Sequence, residues 1–281
     1  MVRNVTWRTW LMHAVLIFGT VILAFPIYTA LVASTHTVRA VITEMPLWFG
    51  SQAWENYITV LSGGASEVGI PPVGIMMFNS VVMALGITVG KLSVSLLAAY
   101  AVVFFRFPLR RVFFWMIFIT LMLPVEVRIM PTFEVVSDLG MLNSYSGLIL
   151  PLIASATATF LFRQFYLTIP DELFEAARID GAGPLRFFWD HILPLSRTNM
   201  AAMFVILFIY GWNQYLWPLL VTSDESMYTV VMGLQRSTAM PDAIPHWNLI
   251  MSTALLGLLP PVLVVVFMQR LFVKGLVETE K

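Results

Sequence analysis

The chain has 281 residues, is 59% hydrophobic and only 11% charged, and balances 16 basic against 16 acidic side chains for a formal net charge of zero. Its mean hydropathy of +0.83 belongs to a membrane protein rather than a soluble domain, and the charge balance offers no electrostatic footprint for nucleic acid. Cysteine is absent, which excludes disulfides and thiol chemistry.

Six apolar runs follow in chain order, at about 11–33, 74–104, 112–135, 146–168, 198–221 and 248–272. Each is near the ~20 residues that cross ~30 Å of hydrocarbon. Arg3 and Arg8 precede the first run, as in a signal peptide, but the run continues to Ala33 without a clear cleavage site and reads as a retained helix. A polar segment at about 34–73 separates the first two runs, with Gly63-Gly64 and Pro71-Pro72 as breakers. No soluble domain, low-complexity tract or convincing repeat interrupts the pattern. Residues 1–281 therefore read as one all-α transmembrane domain.

A markedly polar run between apolar blocks lies at about 169–197. It reads as two short helices joined at Gly181. Pro170 suits a first helical turn, Asp171 and Glu172 sit at the positive end of the dipole, and Gly181 suits the left-handed position after a helix end. Gly183-Pro184 restarts a helix. Ala176 and Ala177 keep one side thin, so that another surface can approach.

Basic residues set the orientation. With both ends on one side, that side receives Arg3, Arg8, Arg106, Arg110, Arg111, Arg163, Arg178, Arg186, Arg197, Arg270, Lys274 and Lys281, against Arg39, Arg128 and Arg236 on the other. The first side is thus cytoplasmic, and it carries the polar elbow.

No covalent chemistry has a candidate constellation. Gly86-Ile87-Thr88-Val89-Gly90-Lys91 approaches a phosphate-binding loop but has one spacer too few, ends in Leu92 instead of Ser or Thr, and lies in an apolar helix. Gly86 and Gly90 read better as a small-residue packing face. The four histidines, His13, His36, His191 and His246, are dispersed, and no metal-ligand cluster is visible.

The elbow resembles the EAA loop of ABC-importer permeases. Glu175, Ala176, Ala177, Gly181, Leu193 and Pro194 stand at the spacing of that motif. One departure is His191, where an isoleucine is usual, which removes a methyl contact. Tyr210-Gly211-Trp212-Asn213-Gln214-Tyr215-Leu216-Trp217-Pro218 resembles the Trp-Asn-x-aromatic-x-Trp-Pro run of carbohydrate-uptake permeases. Three further stretches, beginning at Phe105, Phe114 and Ser155, are similar to the sn-glycerol-3-phosphate branch of that family, and the likeness spans most of the chain.

The resemblance implies a MetI-like ABC permease fold with a cytoplasmic coupling loop. Glu175, Ala176, Ala177, Arg178, Asp180 and Gly181 would engage an ATPase partner. It further implies a second homologous permease, two ATPase subunits and a periplasmic or lipoprotein substrate-binding protein. ATP and Mg would be bound by the ATPase, and this chain would hold no cofactor and be no enzyme. The location would be a bacterial inner membrane, multi-pass, with both termini cytoplasmic. The substrate would be sn-glycerol-3-phosphate, with glycerophosphodiesters as an extension.

The residues themselves leave alternatives open. Lys91, Trp212, Asn213, Gln214 and Trp217 read as a substrate path. Buried ammonium and amide groups need partners at membrane depth, and lysine binds phosphate as a point charge. Equally, Lys91 could bond a carbonyl or a second permease, Asn213 could be interhelical glue, and the tryptophans could be interface aromatics. Glu126 and Arg128 either line a gate or pair with each other. A neutral sugar or polyol in the same class is the rival substrate. An ion-coupled secondary transporter is the rival class, and it predicts mid-span carboxylates that the runs lack.

Overall fold

The structure is a computed structural model that describes residues 7–63, 71–120, 125–239 and 244–277. Arg3, Gly64, Pro124 and Lys281 lie outside the described residues, as do the side chains of Glu126 and Lys274. Among the described residues every regular element is helical. In chain order these are α1 (Trp7–Ala33), α2 (Val38–Glu44), α3 (Ala53–Ser62), α4 (Val73–Phe104), α5 (Arg110–Ile119), α6 (Val125–Asp138) and α7 (Tyr145–Ile149). Then come α8 (Ala156–Tyr166), α9 (Asp171–Ile179), α10 (Pro184–Phe187), α11 (Leu193–Leu195), α12 (Arg197–Trp212), α13 (Leu216–Val221), α14 (Val230–Thr238) and α15 (Trp247–Val277).

Among the described residues three helices, α1, α4 and α15, are long and apolar enough to cross a membrane unaided, and the number rises to 5 if two bent pairs, Tyr145–Leu152 with Ala156–Tyr166 and Pro184–Leu195 with Arg197–Trp212, are one span each. The fourth and fifth of the six expected apolar runs are each interrupted along their length. Backbone chemistry explains both breaks. Pro151 has no N–H to donate to the carbonyl of Gly147, four residues earlier. Ser155 then caps a new helix by accepting from the Ala158 N–H. The two halves meet at 47°. In the fifth run α12 stops at Trp212 and α13 restarts at Leu216, because Pro218 cannot donate to the carbonyl of Gln214. In the third, α5 ends at Ile119 and α6 begins at Val125, with residues 121–124 outside the described set.

Two compact units are formed. One comprises residues 1–74 and 233–258. Its organiser is Asn56, 7% exposed on α3. The Asn56 amide nitrogen donates to the carbonyls of Ser34 and His36, at 2.9 Å each, and its oxygen accepts from the Asn248 side chain at 2.8 Å. The Gly50 N–H adds a bond to the Thr35 hydroxyl.

The second unit comprises residues 75–232 and 259–281 and is built around α4. Asn79 is 1% exposed. It donates to the carbonyls of Ser226 and Tyr228 at 2.8 and 3.0 Å and accepts from the Tyr145 hydroxyl at 2.6 Å, so its amide is satisfied. Further along α4, Gly86 and Gly90 lie against Ile149 and Ile153. A Cβ on Gly86 would stand 2.6 Å from Ile149 Cδ1. This is the close helix approach expected of a small-residue face. Gly211 of α12 approaches Ala84 in the same way, a Cβ there falling 2.9 Å from the alanine Cα.

Candidate functional site

The polar elbow folds as its residues dictate. Pro170 precedes α9 in an extended conformation, Asp171 and Glu172 occupy its first turn, and Arg178 its last. Gly181 follows in the left-handed region, with φ of +76°, where glycine carries no Cβ penalty. The Ala182 N–H then bonds back to the Ala177 carbonyl at 2.8 Å. Gly183 in extended conformation and Pro184 at the first turn open α10. A short π-helical turn at Phe188–Ile192 leads into α11.

One side of this elbow is clamped and the other is open. Ala177 is 4% exposed and belongs to a buried cluster with Phe187, Phe188 and Ile192. The Tyr100 hydroxyl, on α4, donates to the Pro184 carbonyl at 2.8 Å. Phe174 and Phe187 meet edge to face at 5.2 Å, and Phe104 of α4 packs on both. The His191 ring stacks on Phe187 at 5.3 Å, so the place of the missing isoleucine is filled by an aromatic contact. Glu175, Ala176, Arg178, Asp180 and Gly181 are all exposed. The two alanines therefore do not share one thin side: Ala176 faces out and Ala177 in.

Sequence reasoning missed the apolar component of the open side. Ile179, Leu185 and Trp189 are 86%, 73% and 62% exposed. The available signal was three large apolar residues inside the most polar stretch of the chain. Beside them Arg186 and Asp190 form an exposed ion pair at 3.2 Å, which contributes little stability by itself.

A second constellation lies along α4 and α12. Lys91 is 7% exposed and its Nζ stands 3.7 Å above the centre of the Tyr210 ring, a cation–π contact in a desolvated setting. Nothing in the local sequence marks Tyr210 as the partner of Lys91. One turn on, the Gln214 amide donates to the Tyr210 carbonyl at 3.1 Å. Asn213 ends α12 and is exposed in this chain. Trp212 and Trp217 are each 3% exposed. Trp212 stacks on Phe208, and the Trp217 indole N–H donates to the Gly147 carbonyl at 3.1 Å. That carbonyl is the one Pro151 leaves without its helical donor. The structure thus brings Lys91 to Tyr210 and seats both tryptophans in packing. Arg128 is exposed.

Residues 91–278 match the family model described as binding-protein-dependent transport system inner membrane component. This chain belongs to that family. As an inner membrane component of a transport system, it is 60% identical over 270 residues to the sn-glycerol-3-phosphate transport system permease protein UgpE of Rhizobium meliloti (strain 1021), covering 96% of each chain. It is 57% identical over 282 residues to the protein of the same name from Salmonella typhi, covering 100% of both. A crystal structure of a bacterial ABC transporter involved in import of the acidic polysaccharide alginate contains a chain of the same fold. The TM-score is 0.79 at 20% identity, over 96% of this chain and 98% of that one. No group of three or more metal-ligating side chains occurs among the described residues.

Proposed function

We propose that this chain is a permease subunit of an ATP-driven importer that carries sn-glycerol-3-phosphate, and glycerophosphodiesters with it, into the cytoplasm. The observation that carries the reading is identity of 57–60% across nearly the whole length of permeases that bear that substrate in their names. Six crossings at about 11–33, 74–104, 112–135, 146–168, 198–221 and 248–272 make one domain, with α7–α8 and α12–α13 as broken spans. The distribution of arginine and lysine supports a cytoplasmic position for both termini and the elbow. There the elbow meets an ATPase. Glu175, Arg178 and Asp180 offer charge, Ala176 offers close approach, and Gly181 with buried Ala177 sets the bend. A second homologous permease, a second ATPase and a substrate-binding protein complete the complex, and the ATPases hold ATP and Mg.

The broken α12–α13 span supports the substrate path. Discontinuous helices expose backbone polar groups at membrane depth where they line a cavity. The break here falls at Asn213, Gln214 and Tyr215. Lys91 supplies a positive charge for a phosphate, held by Tyr210 when no anion is bound. Trp212 and Trp217 back the path as packed walls. The test is ATP hydrolysis by the assembled complex in lipid with its binding protein. Stimulation by sn-glycerol-3-phosphate and not by a neutral sugar is expected; stimulation by the sugar alone would keep the importer and discard the substrate.

A further inference from the structure

A pocket of about 510 Å³ opens between the C-terminal end of α4, the start of α5 and α8. Its charged lining consists of Arg110, Arg111 and Arg163, with no carboxylate among the lining residues. Arg163 lies over the Phe114 ring, its Cζ 4.2 Å from the ring centre. Its Nε is buried and has no hydrogen-bond partner. Phe118 and Phe160 close the floor, 5.6 Å apart. Arg110 Nη1 donates to the Phe105 carbonyl at 3.3 Å, a neutral acceptor, and no carboxylate in the lining neutralises the three guanidinium groups.

The start of α5 sharpens the problem. Leu109 precedes it in the left-handed region and gives no side-chain cap, and the first turn holds no acidic residue. Two arginines there oppose the positive end of the helix dipole. Free N–H groups, a dipole and three guanidinium groups converge on one requirement, a bound anion with several acceptor oxygens. Phosphate meets it, and a planar guanidinium braced on an aromatic ring is well suited to hold it.

We infer that this pocket binds the phosphate of an anionic phospholipid in the leaflet facing the elbow. A lipid is the source that fits the surroundings. Beyond the three arginines the lining is almost wholly apolar and aromatic. The adjoining side of α5 exposes Val112, Trp115, Met116 and Ile119, each between 53% and 58%, a track for acyl chains. Basic pockets between membrane helices on the cytoplasmic side bind such headgroups. The assignment of the leaflet rests on the orientation proposed above; the site itself does not.

The test is native mass spectrometry of the assembled importer, delipidated and returned to equal mole fractions of phosphatidylglycerol and phosphatidylcholine. Wild type retains phosphatidylglycerol in preference. Arg111→Gln, an exposed position that leaves packing intact, lowers that retention about fivefold, and the triple Arg110→Gln/Arg111→Gln/Arg163→Gln variant lowers it further by about that factor for each arginine. Arg39→Gln, outside the lining, leaves it unchanged. Equal retention of both lipids by wild type, or undiminished retention by both variants, overturns the site. Displacement of phosphatidylglycerol by millimolar inorganic phosphate would assign the pocket to a free anion and overturn the lipid. Because bound lipid is read rather than transport, failure here is separable from failure of the substrate assignment.

Discussion

An ammonium group in the middle of an apolar helix is costly unless something answers its charge. At Lys91 the answer is the face of Tyr210, 3.7 Å away, a contact of about 2 kcal/mol when desolvated. That is enough to hold the side chain in place and comparable to one charge-assisted bond, of which a phosphate can offer several. On the proposed path, the arrangement stores a cation that an anionic solute can take over. Lys91→Met preserves length and apolar volume and removes the charge. The expected result is a loss of about tenfold or more in uptake of sn-glycerol-3-phosphate, from the ~1.5–3 kcal/mol of a charged hydrogen bond. Basal ATP hydrolysis would stay unchanged. Equal uptake of [14C]glycerol-3-phosphate by mutant and wild-type vesicles would remove Lys91 from the path.

At the scale of elements, prolines and glycines decide how apolar runs become helices. Hydropathy made the six runs legible, because burial in lipid demands apolarity along the full crossing. It did not make the breaks legible, because apolarity says nothing about which carbonyl has lost its donor. Pro151 and Pro218 are where that information sat. The long-range repair by the Trp217 indole onto the Gly147 carbonyl has no local signature at all. The elbow was legible nearly to the residue, since Gly181, Gly183 and Pro184 each have one favoured backbone role. What that reading lacked was the facing of Ala177 and the seat beneath it, both fixed by tertiary contact with Tyr100 and Phe104 of α4. Gly86 and Gly90 were read as a packing face, and Ile149 and Ile153 occupy it. Gly90→Leu should accordingly cost about 1–3 kcal/mol through overpacking, seen as a lower unfolding temperature in detergent. Gly74, on the same helix, has open space around its missing Cβ, and Gly74→Leu should leave that temperature within a degree or two or raise it slightly, about the gain of losing a helical glycine.

For the whole molecule the question is how a movement imposed on an exposed loop reaches helices inside a bilayer. The path is short here. The elbow is fastened to the C-terminal end of α4 by the Tyr100–Pro184 hydrogen bond and by Phe104, Phe174 and Phe187. The same helix carries Lys91. Force applied to Glu175 and its exposed neighbours therefore acts on a lever that shares a rigid element with the proposed substrate path. The proposed coupling role requires a rigid bend, and the bend resides at Gly181. A β-branched residue at φ of +76° is disfavoured by roughly 1–2 kcal/mol, while no atom within 4 Å would clash with its Cβ. Gly181→Val should thus reshape the elbow without unfolding the membrane helices. The expected outcome is a complex that assembles and hydrolyses ATP at its basal rate, yet no longer responds to the loaded binding protein. Gly181→Asn, which tolerates the left-handed region, should restore most of the response. If the valine variant retained substrate-stimulated hydrolysis in full, the bend at Gly181 would have no part in coupling. If both variants failed alike, loss of glycine as such, rather than the conformation it permits, would be the cause.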